Sequence, residues 1–222
     1  MKPGFYPVLG KSDYIKINNR KIPIWELLEY QPVGWLYSLA TKAEIVPNSP
    51  IIHDCGAFSY RDRYLPTLKG KYVDAHWAIH RYKERSKVGD IIVCPDHLLI
   101  GENTKERQEY NFNQAETFIK LAKNYLPGRV PLAVIHGLSL SDRLEVAKYF
   151  LELGYRHLGI GGLVSQAREY STNLHIIRTI AQVVRLGSVF EEELHGTSNH
   201  IHVFGLCSPQ YEVEPRYVQK RK

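Results

Sequence analysis

Short runs of β-branched and aliphatic residues alternate along the chain with longer stretches whose apolar positions recur three and four apart, the pattern of parallel β/α units. The runs at 51–53, 90–94, 130–135, 157–160 and 200–204 predict strands, and the stretches 72–87, 104–125, 141–153 and 166–186 predict helices that cover a sheet. Ser141 or Asp142 suits a helix N-cap, and Gly154 and Gly187 suit helix stops. Upstream, 5–9 and 35–39 predict two further strands with a short helix at 25–29 between them, which makes seven strands. No internal repeat, low-complexity stretch or Ser/Gly-rich linker interrupts the pattern, so 1–222 reads as a single β/α-barrel domain with a basic tail at 210–222.

Length does not choose between a β/α barrel, which takes about 250 residues, and an open doubly wound sheet of about 200. The placement of reactive side chains does. His53-Asp54-Cys55, Cys94-Pro95-Asp96-His97, Ile135-His136-Gly137, Gly161-Gly162-Leu163 and Gly205-Leu206-Cys207 each follow a predicted strand, on the face where β/α barrels build their sites. The expected fold is therefore α/β, an incomplete TIM-type (β/α) barrel of about seven strands.

Composition narrows the class. Of 222 residues 44% are hydrophobic and 23% charged, enough apolar material for a packed core and too much for a disordered or fibrous chain. No apolar run reaches the roughly 18 residues of a membrane span, and MKPGFYPVLG lacks the layout of a secretion signal, so a cytoplasmic protein with no membrane partner is expected. Three cysteines, Cys55, Cys94 and Cys207, form no CxxC pair, so spacing predicts neither a disulfide framework nor a bound metal. The net charge of +6 is compatible with a polyanionic partner, and Arg216, Lys220, Arg221 and Lys222 concentrate part of it in a nucleic-acid-binding tail or a solvated terminus.

Asp54 and Asp96 stand at adjacent strand ends, where two carboxylates sharing a pocket would be driven to different pKa values; alternatively each caps a helix or pairs with an arginine. Small residues after Asp54 let a ligand approach the backbone, and Pro95 holds Cys94 extended before Asp96. GIGGL at 159–163 has neither a GxGxxG frame nor a following GK[ST], so it reads as a tight turn or as backbone exposed to a planar ligand.

In order, HDCGAFS, VCPDH, LAVIHG, LGYRHLGIGGL and HVFGLCSP resemble the tRNA-guanine transglycosylase superfamily, whose corresponding blocks read DSGGFQ, an Asp-bearing strand end, VQGG, a GIGGL-like turn and MGVGTP. The resemblance spans about 51–209, and the absence of zinc cysteines is closer to the branch that places 7-deazaguanines into DNA. It implies base exchange without a cofactor: an aspartate attacks C1′ of a flipped-out nucleotide, guanine leaves, and a free 7-deazaguanine such as the 7-cyano base of queuosine-related chemistry replaces it. It further implies that Asp54 is the general acid/base and that Asp96 reads the guanine N1 and amino edge. Phe58 and Phe204 would enclose the base, His136 stands where the family has a base-reading Gln, and Gly161, Gly162 and Leu163 would meet the base through backbone amides. The substrate polymer that the resemblance implies is DNA, or else tRNA.

The nucleophile departs from the family. It belongs on an eighth strand, yet the last aspartate is Asp142, so either Glu212 or Glu214 substitutes, or a second copy or partner chain supplies it, or the chain is a truncated or non-catalytic relative. Two other readings compete: a non-catalytic base- or nucleic-acid-binding subunit of a split transglycosylase, and a metal-dependent β/α-barrel hydrolase using His53, Asp96, His136 and His202.

Overall fold

In the computed structural model, which describes residues 5–163, 170–194 and 200–205, the chain first forms an antiparallel hairpin of β1 (Tyr14–Ile17) and β2 (Arg20–Pro23). Its two turn residues, Asn18 and Asn19, lie at φ 49° and 61°, the doubly left-handed turn that Asn tolerates best after Gly. A single 3₁₀ turn at Ile24–Leu27 leads to β3 (Trp35–Ser38) and β4 (Ile51–Asp54). A second hairpin, β5 (Thr67–Leu68) and β6 (Lys71–Tyr72), precedes α1 (Ala75–Arg85). From there strands and helices alternate: β7 (Ile91–Val93), α2 (Thr104–Tyr125), β8 (Val130–Ile135), α3 (Leu140–Glu152), β9 (His157–Ile160), α4 (Tyr170–Leu194) and β10 (His200–Val203).

Six of these strands make one parallel sheet in the order β10-β9-β8-β7-β4-β3, which follows chain order without a reversal. A doubly wound sheet reverses at a switch point; a sheet wound in one direction curls instead. The curl is visible in the edges. Residues 7–9 run beside β3, with the Leu36 amide donating to the Pro7 carbonyl and the Leu9 amide to the Leu36 carbonyl, both at 2.8 Å. From that segment the Tyr6 ring meets the ring of His202 on β10, centroids 5.8 Å apart. The result is a half-barrel of six parallel strands, not closed by backbone pairing among the described residues.

Strand alternation divides the core. Leu36, Ile52, Val93, Leu132 and Val134 point into the curl, with Tyr6 and Phe204 against them. The opposite faces pack against α1, α2 and α3 through residues such as Ile79, Tyr82, Phe118, Ile119, Phe150 and Leu151.

Four expectations shift. The strand at 5–9 reduces to a single bridge, Val8 to Leu36, because Pro7 has no amide to donate. The helix expected from 72 starts at Ala75, where Asp74 accepts from the Trp77 amide at 2.7 Å. The N-cap of α3 is Ser139 rather than Ser141 or Asp142; Asp142 serves as the reciprocal partner of a capping box. Gly154 does stop α3, at φ 95°, but α4 runs through Gly187 to Leu194. No helix of the described residues is long and apolar enough to cross a membrane.

Candidate active site

Alternation along β4 turns Ile52 into the curl, His53 outward and Asp54 inward again at the strand's carboxyl end. Gly56 follows at φ 92°, and its amide donates to Asp54 Oδ2 at 2.9 Å. Only glycine fits this turn: a Cβ would stand 3.2 Å from both Ala40 Cβ and Leu68 Cδ1 in a conformation that L side chains rarely adopt. Ser38, in register with Asp54 on β3, donates its hydroxyl to the same carboxylate.

Asp96 lies two residues beyond β7's extension, where the Cys94 amide still pairs with the Leu132 carbonyl. Its carboxylate takes the Cys55 thiol at 2.9 Å on Oδ1 and His136 Nε2 at 2.6 Å on Oδ2, all three residues buried. The Tyr60 hydroxyl donates to the Asp96 carbonyl at 2.8 Å. Burial, with the charges of Asp96 and Asp54, pushes the Cys55 thiol up, so Cys55 serves as a neutral donor rather than a thiolate. With His136 Nε2 turned to Asp96, its Nδ1 faces Gly162.

Asp54 is in a different state. Burial first, then the nearby charge of Asp96, raises its pKa to about 6, against the opposing pull of the Ser38 hydroxyl and the Gly56 amide. Two carboxylates on one cavity thus have different surroundings: one held by an imidazole and a thiol, the other poised to exchange a proton near neutral pH.

The cavity encloses about 340 Å³ at the carboxyl ends of the strands. It gathers Asp54, Phe58, Asp96, His136, Gly161, Gly162 and Phe204, seven of the eight residues that the family resemblance assigns to the site. Phe58 is half exposed at the mouth, with the Arg61 guanidinium 4.0 Å from its ring centroid. Phe204 stands on the β10 side, edge-on to His202 with centroids 4.5 Å apart. Gly161 is there to admit the imidazole, since a Cβ would come within 2.6 Å of His136 Cε1. Leu163 is the exception: its side chain is buried against Ile160 and Ile176 and does not line the cavity. The tail cations Arg216, Lys220, Arg221 and Lys222, and Glu212, Glu214 and Cys207, lie outside the described residues.

The metal-hydrolase set is not assembled. His53 faces away from the cavity, with Nε2 3.0 Å from Asp90 Oδ2, and His202 packs against the Tyr6 and Phe204 rings. Only Asp96 and His136 of those four meet. No group of three His, Cys, Asp or Glu side chains among the described residues is arranged to hold a metal ion.

Sequence reasoning missed the clamp behind the site. On α2, Asn111 accepts from the His97 amide at 2.6 Å and donates to the His97 carbonyl at 3.0 Å. One turn earlier, Arg107 donates to the carbonyls of Leu98 at 2.7 Å and Arg61 at 2.8 Å. Together they tie the Asp96 loop to the Phe58 loop. The readable signal was two long polar residues four apart on an otherwise apolar helix face.

No protein-family model matches the chain. A DNA-guanine transglycosylase of Salmonella montevideo is 22% identical over 169 residues, 73% of this chain and 37% of that protein. The hemin import ATP-binding protein HmuV of Rhodopseudomonas palustris (strain BisB18) is 31% identical over 136 residues, 60% of this chain and 48% of that protein. The chain spans less than half the length of either relative. Fold and cavity define a β/α half-barrel with its site at the strands' carboxyl ends. Its likeness to the Salmonella protein is a distant, transglycosylase-like relationship. Gly10-Lys11-Ser12 lacks the setting of a phosphate-binding loop: it leads into β1 rather than a helix, and the Gly10 amide is taken by the Asp13 carboxylate.

Proposed function

We propose that the chain is a guanine transglycosylase acting on nucleic acid, DNA in preference to tRNA, which replaces guanine by a free 7-deazaguanine through a glycosyl-enzyme intermediate. The observation that carries the reading is the pair of unlike carboxylates on one cavity, Asp54 at about 6 and Asp96 held by His136 and Cys55. The distant similarity to a DNA-guanine transglycosylase supports it.

In the first half-reaction a carboxylate attacks C1′ as the C1′–N9 bond breaks, and the electron pair leaving with the purine is met by the Asp54 proton. In the second, Asp54 takes the N–H proton of the incoming base, whose freed pair re-forms the bond to C1′ as the enzyme carboxylate departs. Asp96 accepts from the base's N1–H and amino edge, and Phe58 and Phe204 cover its faces, stacking worth on the order of 1–3 kcal/mol per base. The attacking carboxylate is a third group, beyond the two that line the cavity among the described residues.

Among the described residues the cavity is lined by no carboxylate besides Asp54 and Asp96, and a second reading needs no third one. In it the chain is the base-binding subunit of a split enzyme. Calorimetry of guanine binding tests what the two readings share: guanine binds, adenine does not, and Asp96→Asn weakens guanine at least tenfold. A wild-type chain that binds neither base, or binds both alike, contradicts them.

A further inference from the structure

A second cleft opens beside the base cavity and shares Ala40 and Thr41 with it. Three lysines line it, Lys11, Lys42 and Lys69, each exposed and none in an ion pair among the described residues. Its one carboxylate, Glu44, is engaged by Lys21 from the β1–β2 hairpin. The cleft is therefore cationic, and it adjoins the cavity at Ala40 and Thr41.

Lys69 is held there at a cost. It occupies the first turn position of the β5–β6 hairpin at φ 50°, with Gly70 at φ 78°, a doubly left-handed turn whose first position favours Asn, Asp or Gly. A lysine kept in that conformation points to a use for its charge. The hairpin is also tied to the catalytic turn: Leu68 is buried and lies where any Cβ on Gly56 would strike it. Lys69 is thus carried by the same packing that fixes Asp54.

Resting on the function proposed above, we infer that the Lys11–Lys42–Lys69 cleft seats the phosphodiester backbone of the nucleic acid whose base enters the cavity. A polyanion with regularly spaced charges matches three exposed ammonium groups, of which Lys11 also feels the Glu44 carboxylate, whereas the apolar, acidic cavity next door suits a neutral base. The three lysines all belong to the described residues.

The test uses the full chain and a fluorescein-labelled 20-base-pair duplex, with anisotropy read across a salt series. The wild-type slope of log affinity against log salt should fall in magnitude by roughly 2–3 in K11Q/K42Q/K69Q, about 0.9 for each lost phosphate contact. The control K83Q/K120Q/K148Q removes the same charge from the outer faces of α1, α2 and α3 and should keep the wild-type slope. Guanine binding, measured in parallel, should be unchanged in both triple variants. A cleft variant with the wild-type slope, a control that loses as much as the cleft variant, or a wild-type chain that binds no duplex overturns the inference. Failure of guanine binding in the wild type, with the cleft variant still losing slope, would instead overturn the base-exchange reading and leave the nucleic-acid track standing.

Discussion

Asp54 has a pKa of about 6 because burial and Asp96 outweigh a hydroxyl and an amide, so each neighbour can be used to move it. Exchange that needs its acid form in one half-reaction and its base form in the other should be fastest near pH 6 and fall on both sides. Ser38→Ala removes a donor that stabilises the carboxylate, so the maximum should move upward by about one unit. A maximum that stays in place, or moves down, would show that Ser38 does not tune this group. Gly161→Ala should displace His136 from Asp96 and weaken guanine binding at least tenfold, and lower Tm as well because the same methyl comes within 2.7 Å of Val134 Cγ1; unchanged binding would mean the imidazole tolerates the methyl. At this scale much was legible. Asp54, Asp96, His136, Gly161 and Gly162 follow strands, and strand ends of a β/α sheet converge on one face. The direction of the Leu163 side chain was not legible, because the chain turns at Gly162, φ 78°, and carries Leu163 into the packing of α4.

At the scale of elements, the site depends on what α2 and α3 hold in place. Asn111→Leu leaves the His97 amide and carbonyl unsatisfied in a buried place, an expected loss of about 1–3 kcal/mol in chemical denaturation. The same change frees the Asp96 loop, so base affinity should fall as well; stability lost with affinity intact would separate the clamp from the site. Ser139→Ala removes the α3 capping box and should cost about 0.5–2 kcal/mol without altering guanine binding. The long helices were readable from their three-and-four spacing, and so was the Gly154 stop. The two hairpins were not: β5 and β6 are two residues each, too short for a period to register, and the Asn18-Asn19 turn carried the only local signal. Gly187 misled because one glycine in a helix costs only about 1 kcal/mol, which the continued pattern to Leu194 outweighs.

The whole molecule is organised by a sheet wound in one direction, so its loops at the carboxyl ends face one cavity while its opposite end is fastened by Asp90. That carboxylate accepts from the Ile51 and Lys87 amides at 3.2 and 2.9 Å and pairs with His53 at 3.0 Å. Burial pushes Asp90 up, but His53 and the amides together hold it below the ordinary carboxylate range. A group whose folded pKa is depressed contributes stability above its unfolded value near 3.9 and loses it as pH falls through the folded value. Asp90→Asn should therefore lower Tm at neutral pH and make the acid side of the stability profile flatter; an unchanged acid limb would remove Asp90 from that account. The winding itself was legible only indirectly, from reactive residues placed after strands. How far the sheet closes depended on contacts such as Tyr6 with His202, which join the two ends of the sheet and leave no mark in any local pattern.

The most direct measurement is the incorporation of labelled guanine into double-stranded DNA and, alongside it, into unmodified tRNA, by the wild-type chain and by Asp54→Ala. The base-exchange account predicts label in DNA above tRNA with the wild type and none with the variant. Label entering at the wild-type rate in Asp54→Ala, or entering neither polymer with the wild type, would contradict exchange by this chain.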